Sequence, residues 1–136
     1  MCPEAAVATA ITEYFVPLQV QTQDGSGAAI VERYRQVWTL DLRVLAADGY
    51  ELYRWNGYLP PAEFLPQLLA ARAHALLRLQ DEPAVAAYEE VLRRFPTSAI
   101  APEAQYFSDL SRNWKRLQTR YPDSIWRIKQ SFTEDA

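Results

Sequence analysis

Residues 40–64 read LDLRVLAADGYELYRWNGYLPPAEF. Two β-prone runs, Thr39–Leu45 and Tyr50–Trp55, flank Ala46-Ala47-Asp48-Gly49. An Asp-Gly pair supplies the positive φ that a tight hairpin needs, so the two runs are predicted to be antiparallel neighbours. Asn56-Gly57 ends the second run. Pro60-Pro61 suits a helix N-terminus, because proline lacks an N–H that the first turn leaves unbonded, and Glu63 favours the positive end of the dipole. The stretch divides the chain into a unit with strands, residues 1–61, and a helical region, residues 62–136, expected to share one core.

Toward the N-terminus, Pro3 to Tyr14 is predicted to be helical, with Val7, Ala10, Ile11 and Tyr14 on one face. Phe15 to Gln21, FVPLQVQ, alternates apolar and polar positions and is predicted to be a short strand; Pro17 places its beginning outside regular pairing. Gln23-Asp24-Gly25-Ser26-Gly27 is a loop by composition, without the Lys or Thr of a phosphate-binding loop, and reads as a connector. Ala28 to Gln36 is predicted to be a helix of about two turns, with Ile30, Tyr34 and Val37 at helical spacing.

Toward the C-terminus the pattern is helical throughout. Phe64 to Leu79 is apolar on more than one side, which implies cover by the sheet at its start and by helices further on. Asp81-Glu82-Pro83 opens a helix striped by Ala84, Tyr88, Val91, Leu92 and Phe95 and stopped by Pro96. Ala101 to Arg120 reads as one helix through Ala104, Phe107, Leu110, Trp114 and Leu117, stopped by Pro122. Asp123 or Ser124 caps a last short helix with Ile125, Ile128 and Phe132, and Thr133 to Ala136 is a polar tail. Phe95-Pro96-Thr97-Ser98 recurs 26 residues later as Tyr121-Pro122-Asp123-Ser124, an approximate repeat of helix, corner and next helix.

Composition excludes several classes. A net charge of −3 over 136 residues gives no footprint for nucleic acid. No apolar run approaches the ~18 residues of a membrane span. The N-terminus lacks the basic region of a signal peptide, so the chain reads as cytoplasmic. Cys2 is the only cysteine, which rules out an intrachain disulfide, a CxxC pair and a cysteine-rich zinc site. Cys2 remains a candidate lone thiol. His74 has no second histidine to share a metal and reads as a partly buried helix residue. Glu89-Glu90 and Asp81-Glu82 are adjacent in sequence, so they point apart on solvated surface rather than forming an acid–base pair. Neither a catalytic set nor a cofactor or metal site is expected. Within the aromatic set Tyr50, Tyr53, Trp55, Tyr58 and Phe64, the first four are the candidate interaction surface, with core packing as the competing use.

Two families resemble parts of the chain. Ala84-x3-Tyr88-x2-Val91-x4-Pro96 is similar to the second helix of a tetratricopeptide repeat. FVPLQV, AAIVERYR, VWTLDLRVLAADG and ELYRWNG follow the order of the later part of a thioredoxin fold. Bacterial proteins that join the two carry a similar GYLPPAEF corner. The resemblance implies an α/β fold, a truncated thioredoxin-like sheet of about three strands followed by about four α-helices in tetratricopeptide-like hairpins. It also implies that the redox site is missing. The CxxC would precede Met1, and Leu40 stands where the family has its cis-proline. The expected function is a redox-inactive, non-enzymatic adaptor that binds an unidentified protein or forms a homodimer through the sheet. The alternative is an oxidoreductase whose CxxC lies upstream of Met1. The strand missing from this scheme would lie between Phe15–Gln21 and Thr39–Leu45, so those two are expected to pair directly or to be bridged by a second molecule.

Overall fold

The computed structural model describes residues 5–37, 39–81, 83–110 and 115–134. Cys2, Pro3, Glu4, Glu82 and Trp114 lie outside them. The element order is α1 (Ala5–Tyr14), α2 (Ala28–Tyr34), β1 (Asp41–Leu45), β2 (Glu51–Asn56), α3 (Pro61–Arg78), α4 (Ala84–Arg94), α5 (Ala101–Leu110), α6 (Lys115–Arg120) and α7 (Ile125–Glu134).

The hairpin forms as its turn residues require. β1 and β2 are antiparallel, with Leu42 opposite Trp55 and Val44 opposite Tyr53. Gly49 takes φ +85°, Ala46 N–H bonds Tyr50 O at 2.8 Å, and the Asp48 carboxylate accepts from Tyr50 N–H at 2.9 Å. One extra residue, Leu52, is accommodated on β2 where the register shifts between Val44 and Leu45. The Thr39–Leu40 peptide bond is cis.

The three-stranded sheet does not form. Among the described residues the sheet has two strands, and Phe15–Gln21 is neither helix nor strand. Val16 is 95% exposed and Leu18 82%, so the alternation meets no strand partner among the described residues. A strand is stable only against a neighbour, and nothing from Phe15–Gln21 bonds to β1. Direct pairing of the two segments is thereby corrected. The molecule is mostly helical, and its strands form a single hairpin packed on helices. The helical region also holds more elements than expected. Ala101–Arg120 divides into α5 and α6, on either side of residues 111–114, and α7 runs through Glu134, into the expected tail.

α3 is the central element. It packs against α1, both strands and α4, which explains why its sequence is apolar on more than one side. Phe64, Leu65, Leu68 and Leu69 meet Val7 and Ala10 of α1 and Tyr88, Val91 and Leu92 of α4 in one core, joined by Ala101 and Ala104 of α5. Ala70, Ala71 and Ala73 are fully buried, and side chains this small let neighbouring elements approach α3 closely. The two Pro-Ser corners share backbone geometry. Ser98 N–H bonds Phe95 O and Ser124 N–H bonds Tyr121 O, each at 3.2 Å. Tyr121 OH donates to Pro96 O at 2.8 Å and so ties one corner to the other.

Candidate functional site

The hairpin has two unlike faces because side chains alternate along a strand. Tyr53 and Trp55 turn toward α3 and are partly buried. Their rings lie 5.9 Å apart, and Trp55 is 6.2 Å from Phe64. Tyr53 stacks on His74, with centroids 4.5 Å apart and planes 8° from parallel. Tyr50 and Tyr58, at the two ends of β2, are 61% and 69% exposed. Of the four aromatic residues singled out by the sequence, two therefore face the interior and two face solvent.

The inward face closes a polar network. His74 is 7% exposed in the middle of α3. Its Nε2 lies 2.8 Å from Glu103 Oε1 on α5, and its Nδ1 lies 2.7 Å from Tyr88 OH on α4. Tyr53 OH donates to Glu103 Oε1 at 3.4 Å and accepts from Gln67 Nε2 at 3.0 Å. A neutral imidazole satisfies every partner: Nε2–H donates to the carboxylate and Nδ1 accepts from Tyr88 OH. Phe107 covers the ring edge-on at 4.6 Å. The arrangement resembles a proton relay in its atoms, but Tyr53 and Phe107 pack against the imidazole and Tyr88 is 1% exposed. Its chemistry is cohesive, joining β2, α3, α4 and α5.

Burial, then the nearby Glu103 charge, pushes the Tyr53 hydroxyl up to about 12, and the same causes raise Tyr88 further. An unfolded tyrosine ionises near pH ~10, so above that pH the unfolded chain sheds protons that the folded chain retains. The stabilising contribution is complete below pH ~10 and is lost as pH rises through about 12. Urea midpoints are expected to fall between pH ~9.5 and ~11.5, less steeply for Tyr53→Phe than for the wild type. Equal slopes would show that Tyr53 does not titrate with unfolding.

The outward face carries charge. The Asp41 side chain is 2% exposed and accepts from Arg43 Nη2 at 2.7 Å and Nε at 3.3 Å. Arg54 Nε lies 3.3 Å from the other Asp41 oxygen, close enough for attraction but without hydrogen-bond alignment. Arg43 also pairs with Glu51 and donates to Tyr34 O at 2.7 Å. Two arginines and two carboxylates thus neutralise one another on this face. Tyr34 OH donates to Gly49 O at 2.9 Å, which ties α2 to the hairpin turn; no residue of α2 is itself buried.

Elsewhere, an open groove of about 710 Å³ is lined by Glu89, Glu90, Arg93, Leu92 and Arg120. Glu90 is paired with Arg94 at 2.9 Å and Arg72 at 3.7 Å. Among the described residues no group of three or more His, Cys, Asp or Glu side chains is placed to hold a metal ion. No helix among them is long and apolar enough to cross a membrane. Comparison with family models, curated proteins and solved structures returned no match.

Proposed function

We propose that the chain is a cytoplasmic, redox-inactive, non-enzymatic module that binds another protein through its hairpin. The observation that carries this reading is the placement of Tyr50 and Tyr58, 61% and 69% exposed, at the ends of a strand pair that has no third strand beside it among the described residues. An exposed tyrosine offers a rigid apolar face with a polar tip, a combination common at recognition surfaces, and an unpaired strand edge offers backbone donors and acceptors. Asp41, Arg43, Glu51 and Arg54 of the hairpin are paired with one another, and the titratable network beneath it is packed among rings, which supports a binding role over an acid–base one.

The test uses the full chain, immobilised and presented with cell lysate in one arm and with a differently tagged copy of itself in another. A partner is expected in at least one arm. Tyr50→Asp/Tyr58→Asp is expected to weaken its retention about tenfold or more while leaving the unfolding midpoint unchanged. Retention that ignores both substitutions, or no retention in either arm, would overturn the reading. Insulin reduction by the chain above the buffer rate would overturn its redox-inactive part.

A further inference from the structure

Phe15–Gln21 and the edge of β1 have complementary deficits. We propose that two copies of the chain pair by reciprocal strand addition, each laying its Phe15–Gln21 segment along β1 of the other; this rests on the hairpin being the docking surface. The donor segment is FVPLQVQ, followed by Thr22 and Gln23, and it carries no charge. Its Val16 and Leu18 are 95% and 82% exposed, and their backbone groups bond to nothing among the described residues. The acceptor is a strand whose one strand partner among the described residues is β2; no backbone–backbone bond joins it to a described residue outside the hairpin, although the Arg43 side chain donates to Tyr34 O.

Backbone parity orients the segment. In an extended strand the N–H and C=O of alternate residues point to opposite edges. Val16, Leu18 and Val20 therefore present one edge with every N–H intact. Phe15, Pro17, Gln19 and Gln21 present the other, where Pro17 has no N–H to give. Only the first edge can pair fully, so Pro17 blocks addition of a further strand and the assembly closes at two copies instead of growing into a fibre. The side chains of Val16, Leu18 and Val20 then lie together on one face, where the sequence is apolar.

Charge argues for a second copy over an unrelated peptide. Asp41 and Arg43 of β1 and Glu51 and Arg54 of β2 already neutralise one another on one face of the hairpin. A charged peptide would have to compete with those pairs, whereas an uncharged segment leaves them intact. Two-fold symmetry makes each chain both donor and acceptor, which doubles the bonds formed per encounter.

The test is sedimentation equilibrium of the full chain with two proline variants. Leu18→Pro removes an N–H on the pairing edge, and Gln19→Pro removes one on the edge that Pro17 already blunts. Both positions are exposed and outside helix and strand, so neither change touches the folded core. The wild type is expected at twice the 15.6 kDa chain mass. Leu18→Pro is expected to raise the dissociation constant about tenfold or more, and Gln19→Pro to leave it nearly unchanged. A monomeric wild type, a dimer indifferent to Leu18→Pro, or equal loss in both variants would overturn the proposal. A monomeric wild type whose retention of a lysate protein still depends on Tyr50 and Tyr58 would overturn the strand exchange alone and leave the docking surface standing.

Discussion

His74→Ala is expected to destabilise the protein by about 4 kcal/mol, measured as a shift of the urea midpoint at constant slope. The imidazole sits between Tyr53 at 4.5 Å, Phe107 at 4.6 Å and Tyr88 at 5.3 Å, so deleting it opens a cavity among rings that cannot collapse together. It also strands the hydroxyl of Tyr88, which is 1% exposed, and removes one partner of Glu103. The two contributions separate in a cycle. His74→Phe keeps the ring and loses both hydrogen bonds, at an expected cost of about 2 kcal/mol from the orphaned hydroxyl. Tyr88→Phe removes the other side of the same bond. The double variant is expected to be less destabilised than the sum of the single ones, because no buried hydroxyl is left unsatisfied. Strict additivity would show that the Tyr88–His74 bond contributes nothing specific.

That network was hidden from the sequence for a physical reason. His74 reads as a partly buried residue because it stands in mid-helix without a second histidine or a cysteine for a metal, and in α3 it is 7% exposed. Its partners lie 14 and 29 residues away on other helices, and no local pattern encodes which residues two packed helices bring together. The hairpin, by contrast, was legible in its turn and antiparallel pairing, though not in the register shift at Leu52. Its turn is closed within four residues by Asp48 and Gly49, and the strand alternation sets which side chains face α3. Helix starts at Pro61 and after Pro83 were legible because proline acts on the backbone of its own residue and its neighbours.

Phe15–Gln21 marks the opposite limit. The alternation there formed no strand and left Val16 and Leu18 exposed, because alternation reports fitness to be a strand and says nothing about whether an edge lies within reach. The candidate surface divided along the same line. Sequence could group Tyr50, Tyr53, Trp55 and Tyr58 as bulky, yet only the packing of α3 against β2 determines which of them remain outside. The buried pair Gln105 and Asp109 left one faint signal, two polar residues spaced i, i+4 on the face shared with Ala101 and Ala104. Read as core positions, they called for a partner beyond the helix.

That partner makes Asp109 the second sensitive position. Its carboxylate is fully buried; Oδ1 accepts from Gln105 Nε2 at 2.6 Å and Oδ2 accepts from Leu117 N–H at 2.9 Å. Leu117 lies in the first turn of α6, whose N–H groups have no partner within the helix, and α6 at six residues is too short to persist unaided. Gln105 Oε1 in turn accepts from Arg120 Nη1 at 3.1 Å, so both ends of α6 are held from α5 through one chain of bonds. Asp109→Ala is expected to cost about 3 kcal/mol, leaving a buried N–H and a buried amide unsatisfied. Asp109→Asn is the sharper variant. Its single oxygen can serve Leu117 or Gln105 but not both, and flipping the Gln105 amide to accept from the new NH2 turns its own NH2 onto the Arg120 guanidinium. Asparagine is therefore expected to recover less than half of the alanine loss despite matching the volume of aspartate. Hydrogen exchange should show the loss first at the Leu117–Arg120 amides and last in α3. Full recovery by asparagine, or uniform exchange across α3 and α6, would mean that Asp109 contributes by filling space and not by holding α6 to α5.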